Sequence, residues 1–283
     1  MDPAFIAAQK KHSQPKALGS TSRLRRNPYA QALATPIRIC QITRMPLPSF
    51  FLQGFKVAAE SENEQPYFVP QGTLLKTLHS KRFISQKGLH LGMFGSNTYI
   101  LARSSMLSGM HGTVLSRLIP TRIGQSKHAQ SYRKALYRSD MDRHVLYMVR
   151  RSVYYWLLNL HGIGKGYISP YDDFEKAKRY GLKSGLFLWT KDHDRNSDVS
   201  PPEFATILTE PKQSRPRKIP VHNLEFLLGE TMMSKLREAT KDTHKDTFAR
   251  PILGIKNRNM TVGLELRLWW LQCYLAKHNK ILK

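Results

Sequence analysis

Apolar residues at helical spacing, Val145, Met148, Val149, Val153, Trp156, Leu157 and Leu160, restrict this chain more than any other feature of its sequence. Residues three and four apart share one face of an α-helix. The run therefore predicts a helix of about six turns between Ser139 and Gly162, with one face that has to be buried. Ser139 with Asp142 three residues on suggests a side-chain cap at its start. Such a face needs partners. Leu224 to Ala239 offers a second amphipathic helix, and Thr261 to His278 a third that is apolar on nearly every side around Trp269 and Trp270. A shorter helix should open at Pro170 with Asp172, Asp173 and Glu175 and close at Gly181, ahead of a strand from Leu186 to Thr190.

The N-terminal half reads differently. Prolines at 28, 36, 46 and 48 forbid a long helix between Asn27 and Phe55, and Phe50, Phe51, Leu52 and Phe55 should anchor this segment on a core. Tyr67-Phe68-Val69-Pro70 and Thr98 to Ala102 are candidate short strands, while Leu74 to Phe83 has weak helical periodicity. Arg103 to Arg117 could be helical, although it holds two glycines. The expected fold class is mainly α or α+β, with a helical C-terminal core and an extended basic N-terminal region. Three sections follow: a basic tail over 1–26, an extended basic region with short elements over 27–138, and a mainly helical domain over 139–283. A polar, Pro-rich linker at about 191–220 interrupts the last.

Charge placement points to the partner. The 283 residues carry 45 Lys and Arg against 20 Asp and Glu, a formal net charge of +25. Holding that charge in a compact chain is costly unless a polyanion lies alongside. From Gln65 to Ser139 there is no acid in 75 residues, against 11 Lys and Arg. A solvated surface interleaves both signs, whereas a surface facing phosphates repels every carboxylate. Tyr132, Arg133, Lys134, Tyr137 and Arg138 lead into the long helix, where Arg143, Arg150 and Arg151 continue the charge. If helical, Arg133 with Tyr137 and Lys134 with Arg138 are neighbouring pairs. Arg and Lys bond phosphates, and tyrosines stack on exposed bases. Arg23, Arg25 and Arg26 in the tail and Arg117, Arg122 and Lys127 in the acid-free run extend the expected RNA-binding set. Lys212, Arg215, Arg217 and Lys218 form a short basic arm that suits an RNA groove or a solvated linker equally.

Motifs for chemistry are missing. His161-Gly162-Ile163-Gly164-Lys165-Gly166 lacks the glycine spacing and the following Ser or Thr of a phosphate loop, and it reads as a glycine-capped helix end. Asp192-His193-Asp194 with Asp198 could hold a divalent ion, as a nuclease requires, but adjacent carboxylates on a polar loop point apart. Cys40 and Cys273 build no disulfide framework or four-cysteine zinc site. The longest apolar stretch, Val262 to Ala276, is broken by Glu265 and Arg267 and is too short for a bilayer. No secretory signal is expected, and Ser20 to Arg26 has the Arg- and Ser-rich, acid-poor character of an import segment. The expectation is a protein that is not an enzyme, with no cofactor, metal, small-molecule substrate or membrane span.

Asn27-Pro28-Tyr29-Ala30, Leu33-Ala34-Thr35-Pro36-Ile37-Arg38, Cys40, Thr43 and Leu47-Pro48-Ser49-Phe50-Phe51-Leu52-Gln53 resemble the proline-punctuated N-terminal regions of fungal mitochondrial ribosomal proteins. The resemblance implies a structural component of the mitochondrial ribosome in the matrix, with rRNA and neighbouring ribosomal proteins as partners. Two other readings stay open: a mitochondrial RNA-processing or translation factor, perhaps a metal-dependent nuclease, and a basic adaptor held on an acidic protein or membrane. All RNA-bound versions share one consequence. Affinity for single-stranded RNA should fall steeply with salt, the logarithm of the binding constant dropping by about 0.7 per phosphate contact for each decade of salt. A flat salt titration contradicts the electrostatic reading.

Overall fold

The structure is a computed structural model that describes residues 24–59, 65–71, 92–110, 115, 117–119, 133–181, 183–190, 204–209, 217–241 and 247–276. Asn27 caps α1 (Pro28–Leu33): its Oδ1 accepts from the backbone N–H of Tyr29 at 2.9 Å and of Ala30 at 3.3 Å. Pro28 sits at the first helical position, where no N–H is needed. The following prolines keep the chain extended as an antiparallel pair, β1 (Ile37–Ile39) with β2 (Pro46–Pro48). A 3-10 turn, Ser49–Phe51, then delivers Phe50 to the core. It leads into β3 (Leu52–Ala59), the middle strand of an antiparallel sheet with β4 (Tyr67–Gln71) and β5 (Gly92–Leu101). Leu52, Phe55, Phe68 and Ile100 are buried, so the anchoring expected of the aromatic cluster is observed. The stretch expected to be helical from Arg103 to Arg117 holds only a short helix, α2 (Ser104–Ser108), closed by Gly109. Leu74 to Phe83 lies outside the described residues.

The long helix is α3 (Met141–Gly162), and it buries Met141, Val145, Val149, Val153, Trp156, Leu157 and Leu160, nearly the set that periodicity selects. Its start differs from expectation. Asp140 occupies the cap position without a side-chain cap, because its carboxylate is taken by Arg138, with Nη2 donating to Oδ2 at 2.9 Å. After the helix, Gly164 and Gly166 take positive φ of 66° and 61°, the left-handed turn that a glycine-rich helix end allows.

A five-stranded sheet follows, in the order β6, β10, β7, β9, β8: β6 (Ile168–Tyr171), β7 (Ser184–Trp189), β8 (Phe204–Thr209), β9 (Arg217–Asn223) and β10 (Ile252–Lys256). Only β7 and β9 run parallel. The linker expected at about 191–220 therefore contains a strand and part of another. Ile219 and Val221 are buried in β9 between β7 and β8, alternation that Pro216 and Pro220 conceal in the sequence. As expected, α4 (Phe174–Tyr180) starts at Asp173, whose carboxylate accepts from the Lys176 N–H at 2.6 Å, and ends at Gly181. Leu224 to Ala239 is not one helix. Gly229, at φ 74° and ψ 158°, divides it into α5 (Leu224–Leu228) and α6 (Glu230–Thr240).

One continuous core joins the three-stranded sheet, α3, α5, α6, α7 (Val262–Leu275) and one face of the five-stranded sheet. A smaller cluster of Ala177, Phe187, Ile219, Val221 and Ile252 fills the opposite face under α4. The α3–α7 contact is close because Gly263 has no side chain: a Cβ there would stand 2.6 Å from Trp156 Cζ2. Arg267 is buried in the same contact, 5.1 Å from the Trp156 ring, and donates to Ser152 Oγ at 2.8 Å and to Gly263 O at 2.7 Å. Burial brings its pKa down to about 10, so the guanidinium still carries its charge at neutral pH.

Two stability predictions arise here. Gly229 holds a backbone conformation closed to other residues, and a Cβ on it would lie 2.7 Å from Arg150 Nη1. Gly229→Ala should cost about 1–3 kcal/mol in urea unfolding and lower the melting temperature. His222 in β9 is 3% exposed, and burial depresses its pKa from 6.5 to about 4. The unfolded chain thus takes up the proton first. The stabilisation is complete above about pH 6.5 and is lost as pH falls towards 4. Between about pH 7.5 and about pH 4.5 the wild type should lose about 2–3 kcal/mol more than His222→Gln, measured by urea unfolding at each pH.

Candidate nucleic-acid interface

The expected RNA-binding residues do not share one environment. Arg23, Arg122, Lys127, Tyr132 and Arg215 lie outside the described residues, as do Lys212 and the Asp192, Asp194 and Asp198 carboxylates. Arg25, Arg26, Arg117, Arg133, Lys134 and Lys218 are exposed, and Arg217 opens β9. Tyr137 is half-buried instead. Its hydroxyl donates to Leu107 O at 3.1 Å, its ring stands 6.0 Å from Phe55 and 6.3 Å from Phe68, and burial pushes its phenol well above the usual range. Arg138 is engaged with Asp140. Arg150 turns inward and donates through Nε to Leu227 O at 2.8 Å and through Nη2 to Phe226 O at 3.3 Å, filling open carbonyls at the end of α5.

The helical pairing of Arg133 with Tyr137 and of Lys134 with Arg138 is not formed. The chain leaves its helical turn after Lys134, and Leu136 pairs in parallel with Tyr67. Leu136 N–H donates to Pro66 O at 2.8 Å, and its carbonyl accepts from Phe68 N–H at 3.0 Å. The edge of β4 offers backbone partners that local helix propensity cannot match.

A different basic and aromatic array lies on α3. Arg143, Tyr147, Arg151 and Tyr155 recur every fourth residue and are all exposed, Tyr147 at 51% and Tyr155 at 40%. Side chains four apart on a helix are neighbours, so cation and ring alternate along one ridge opposite the buried face. The Arg151 guanidinium stands 5.5 Å from the Tyr155 ring centre. An alternating row of this kind can bond phosphates and stack bases at once. Tyr147 and Tyr155 escape the sequence reading above, which follows charge into the helix without following the four-residue spacing of the tyrosines.

A cleft of about 930 Å³ opens between α1, the β7–β9 strands and α7. Arg26 and Lys218 stand on its rim, and Tyr29 and Trp269 meet edge-on across it with ring centres 4.7 Å apart. Phe50 and Phe51 hold the Trp269 ring from behind, at 5.1 Å and 5.6 Å. Polar groups line the inner part: Glu265 from α7, Asn257 from the loop before it and His222 from β9. With its pKa near 4, His222 is neutral at physiological pH. Gly185 of β7 makes room for the carboxylate, since a Cβ would come within 2.7 Å of Glu265 Oε1. Burial and the Glu265 charge together push the Tyr29 phenol up.

Among the described residues no group of His, Cys, Asp and Glu could hold a metal ion, and no helix is long and apolar enough to cross a membrane. No curated protein and no solved structure matches the chain significantly. A family model described as "required for respiratory growth protein 8, mitochondrial" matches residues 5–146. That is not a ribosomal protein family, and it corrects the resemblance drawn from Asn27 to Gln53. The proline punctuation there serves a helix start and a short strand pair, local needs shared by unrelated chains, so it carries little family information. The match takes in α1, the three-stranded sheet and the beginning of α3, whereas Lys218 and Glu265 lie beyond it. With half of its 283 residues matched, the chain belongs to the mitochondrial family required for respiratory growth, protein 8.

Proposed function

We propose that this chain is an RNA-binding factor of the mitochondrial matrix, acting in RNA processing or translation without catalysing a reaction itself. The observation that carries the reading is the exposed row Arg143, Tyr147, Arg151 and Tyr155 on α3. Its two tyrosines are eight residues, or about 12 Å, apart along the helix. That leaves room for two stacked bases with an arginine between them to meet the intervening phosphate. The net charge of +25 and the acid-free run before the helix favour the same partner, since each carboxylate left out removes a repulsion. Membership of a mitochondrial family needed for respiratory growth fits a factor that supports expression of organelle transcripts. RNA that is single-stranded suits the row best, because paired bases offer no free ring face.

Fluorescence anisotropy with an unstructured RNA oligonucleotide tests the assignment. Tyr147→Ala with Tyr155→Ala should weaken binding by about 1–3 kcal/mol per base lost from the stack. Both side chains are exposed, so the melting temperature should hold. Arg143→Gln should weaken binding across all sequences and reduce the salt slope by about one contact. Unchanged affinity in the double tyrosine variant removes the row as the interface. Incubation of the full chain with magnesium and labelled RNA should leave the RNA intact, and the chain should sediment apart from ribosomal subunits. Specific cleavage, or near-equal stoichiometry with a subunit, would contradict the non-catalytic factor proposed.

A further inference from the structure

The cleft in front of α7 presents three kinds of group in an order that selects a ligand. Its inner end holds acceptors. Glu265 is 4% exposed, and the Thr261 hydroxyl donates to its Oε1 at 3.4 Å. Asn257 Oδ1 is shut off from solvent and finds no hydrogen-bond partner among the described residues. A buried acceptor without a donor costs free energy that a ligand N–H would recover. Next comes an aromatic surface, Tyr29, which is 43% exposed beside Trp269. Cations stand outermost, Arg26 and Lys218, both exposed on the rim. A cavity near 930 Å³ lies within the range of about 300–1,000 Å³ usual for small-ligand sites.

Acceptors inside, a ring surface between and cations outside complement a nucleotide, and the acceptors choose the base. Guanine is the base whose pairing edge carries two adjacent donors, the ring N–H and the exocyclic amine. Adenine and cytosine set one donor beside an acceptor, and uracil sets its donor between two acceptors. A carboxylate receives two parallel N–H bonds well, and a second acceptor nearby takes the remaining amine hydrogen. We propose that the cleft is a binding pocket for guanine carrying a 5′-phosphate, with Glu265 and Asn257 reading the base edge, Tyr29 stacking on the ring, and Arg26 and Lys218 holding the phosphate. This deepens the RNA-binding reading and rests on it for the source of the nucleotide, since α3 would supply the sequence-blind part of the contact and the cleft the base-selective part.

Calorimetric titration of the full chain tests it. Guanosine 5′-monophosphate should bind about tenfold or more tighter than the adenosine, cytidine and uridine monophosphates, the discrimination of one bidentate contact. Inosine 5′-monophosphate keeps the ring N–H but lacks the amine, and it should bind clearly more weakly than the guanosine compound. Glu265→Gln should remove the preference for guanine. Because Glu265 is buried, the inosine comparison probes the same contact with the protein unaltered. A parallel anisotropy titration uses uridine oligonucleotides with and without one central guanine. Tighter binding of the guanine oligonucleotide identifies RNA as the source, and a preference confined to the mononucleotide identifies a free nucleotide. Equal binding of all four mononucleotides, no binding of any, or inosine equal to guanosine overturns the pocket while leaving RNA binding by α3 intact. Loss of oligonucleotide binding altogether in the wild type overturns the RNA reading itself.

Discussion

The Arg267 guanidinium, buried between α3 and α7, is the contact on which the arrangement of the molecule turns. A charge removed from water is tolerated only when its donors are satisfied, and here Ser152, the Gly263 carbonyl and the Trp156 ring do so from fixed positions. Those positions set the helix crossing. Gly263 brings the backbone of α7 against Trp156, and the Tyr274 hydroxyl donates to Asp142 O at 2.9 Å near the other end of the contact. A helix apolar on nearly every side could settle against a partner at several rotations. The polar triad on one side and the stack of Trp270 on Tyr274 leave α7 one rotation.

Once α7 is fixed, both surfaces considered for RNA are fixed with it. Its outward side presents Trp269 to Phe50, Phe51 and Tyr29, which closes the N-terminal segment over the end of the five-stranded sheet and makes the cleft. Its inward side holds the buried face of α3, so that the opposite ridge of α3, with its alternating arginines and tyrosines, must face solvent. The division of labour among cations follows. Arg138, Arg150 and Arg267 are engaged by a carboxylate, by carbonyls and by the core, whereas Arg26, Arg133, Lys134 and Lys218 stand exposed. Net charge by itself says nothing about that division.

The parts of the fold legible in the sequence are those decided over one or two turns of chain. The buried face of α3, the Asp173 cap and Gly181 end of α4, the proline-limited N-terminal segment and the central place of α7 all follow from local periodicity and turn chemistry. Where distant backbone competes, local reading fails. Leu136 gives up a helix for the edge of β4, and β9 hides behind its prolines because its apolar residues show their role only between β7 and β8. Gly229 breaks a convincing amphipathic run because α6 has to turn away from α5, a demand that comes from packing on Arg150 and α3. For the candidate site, the sequence supplies exposed cations but misplaces Tyr137 and Arg150, and it passes over Tyr147, Tyr155 and every acceptor in the cleft.

By itself the sequence determined the charge, the long amphipathic helix and the mixed helix and strand content, because these depend on composition and on spacings of a few residues. Only the tertiary structure decided which basic and aromatic side chains face solvent, and only it brought Tyr29, Lys218, Asn257 and Glu265 to one cleft from four separate segments. Burial and proximity belong to the packed chain as a whole: whether an arginine meets a carbonyl or water depends on elements far away in sequence, which no local pattern records.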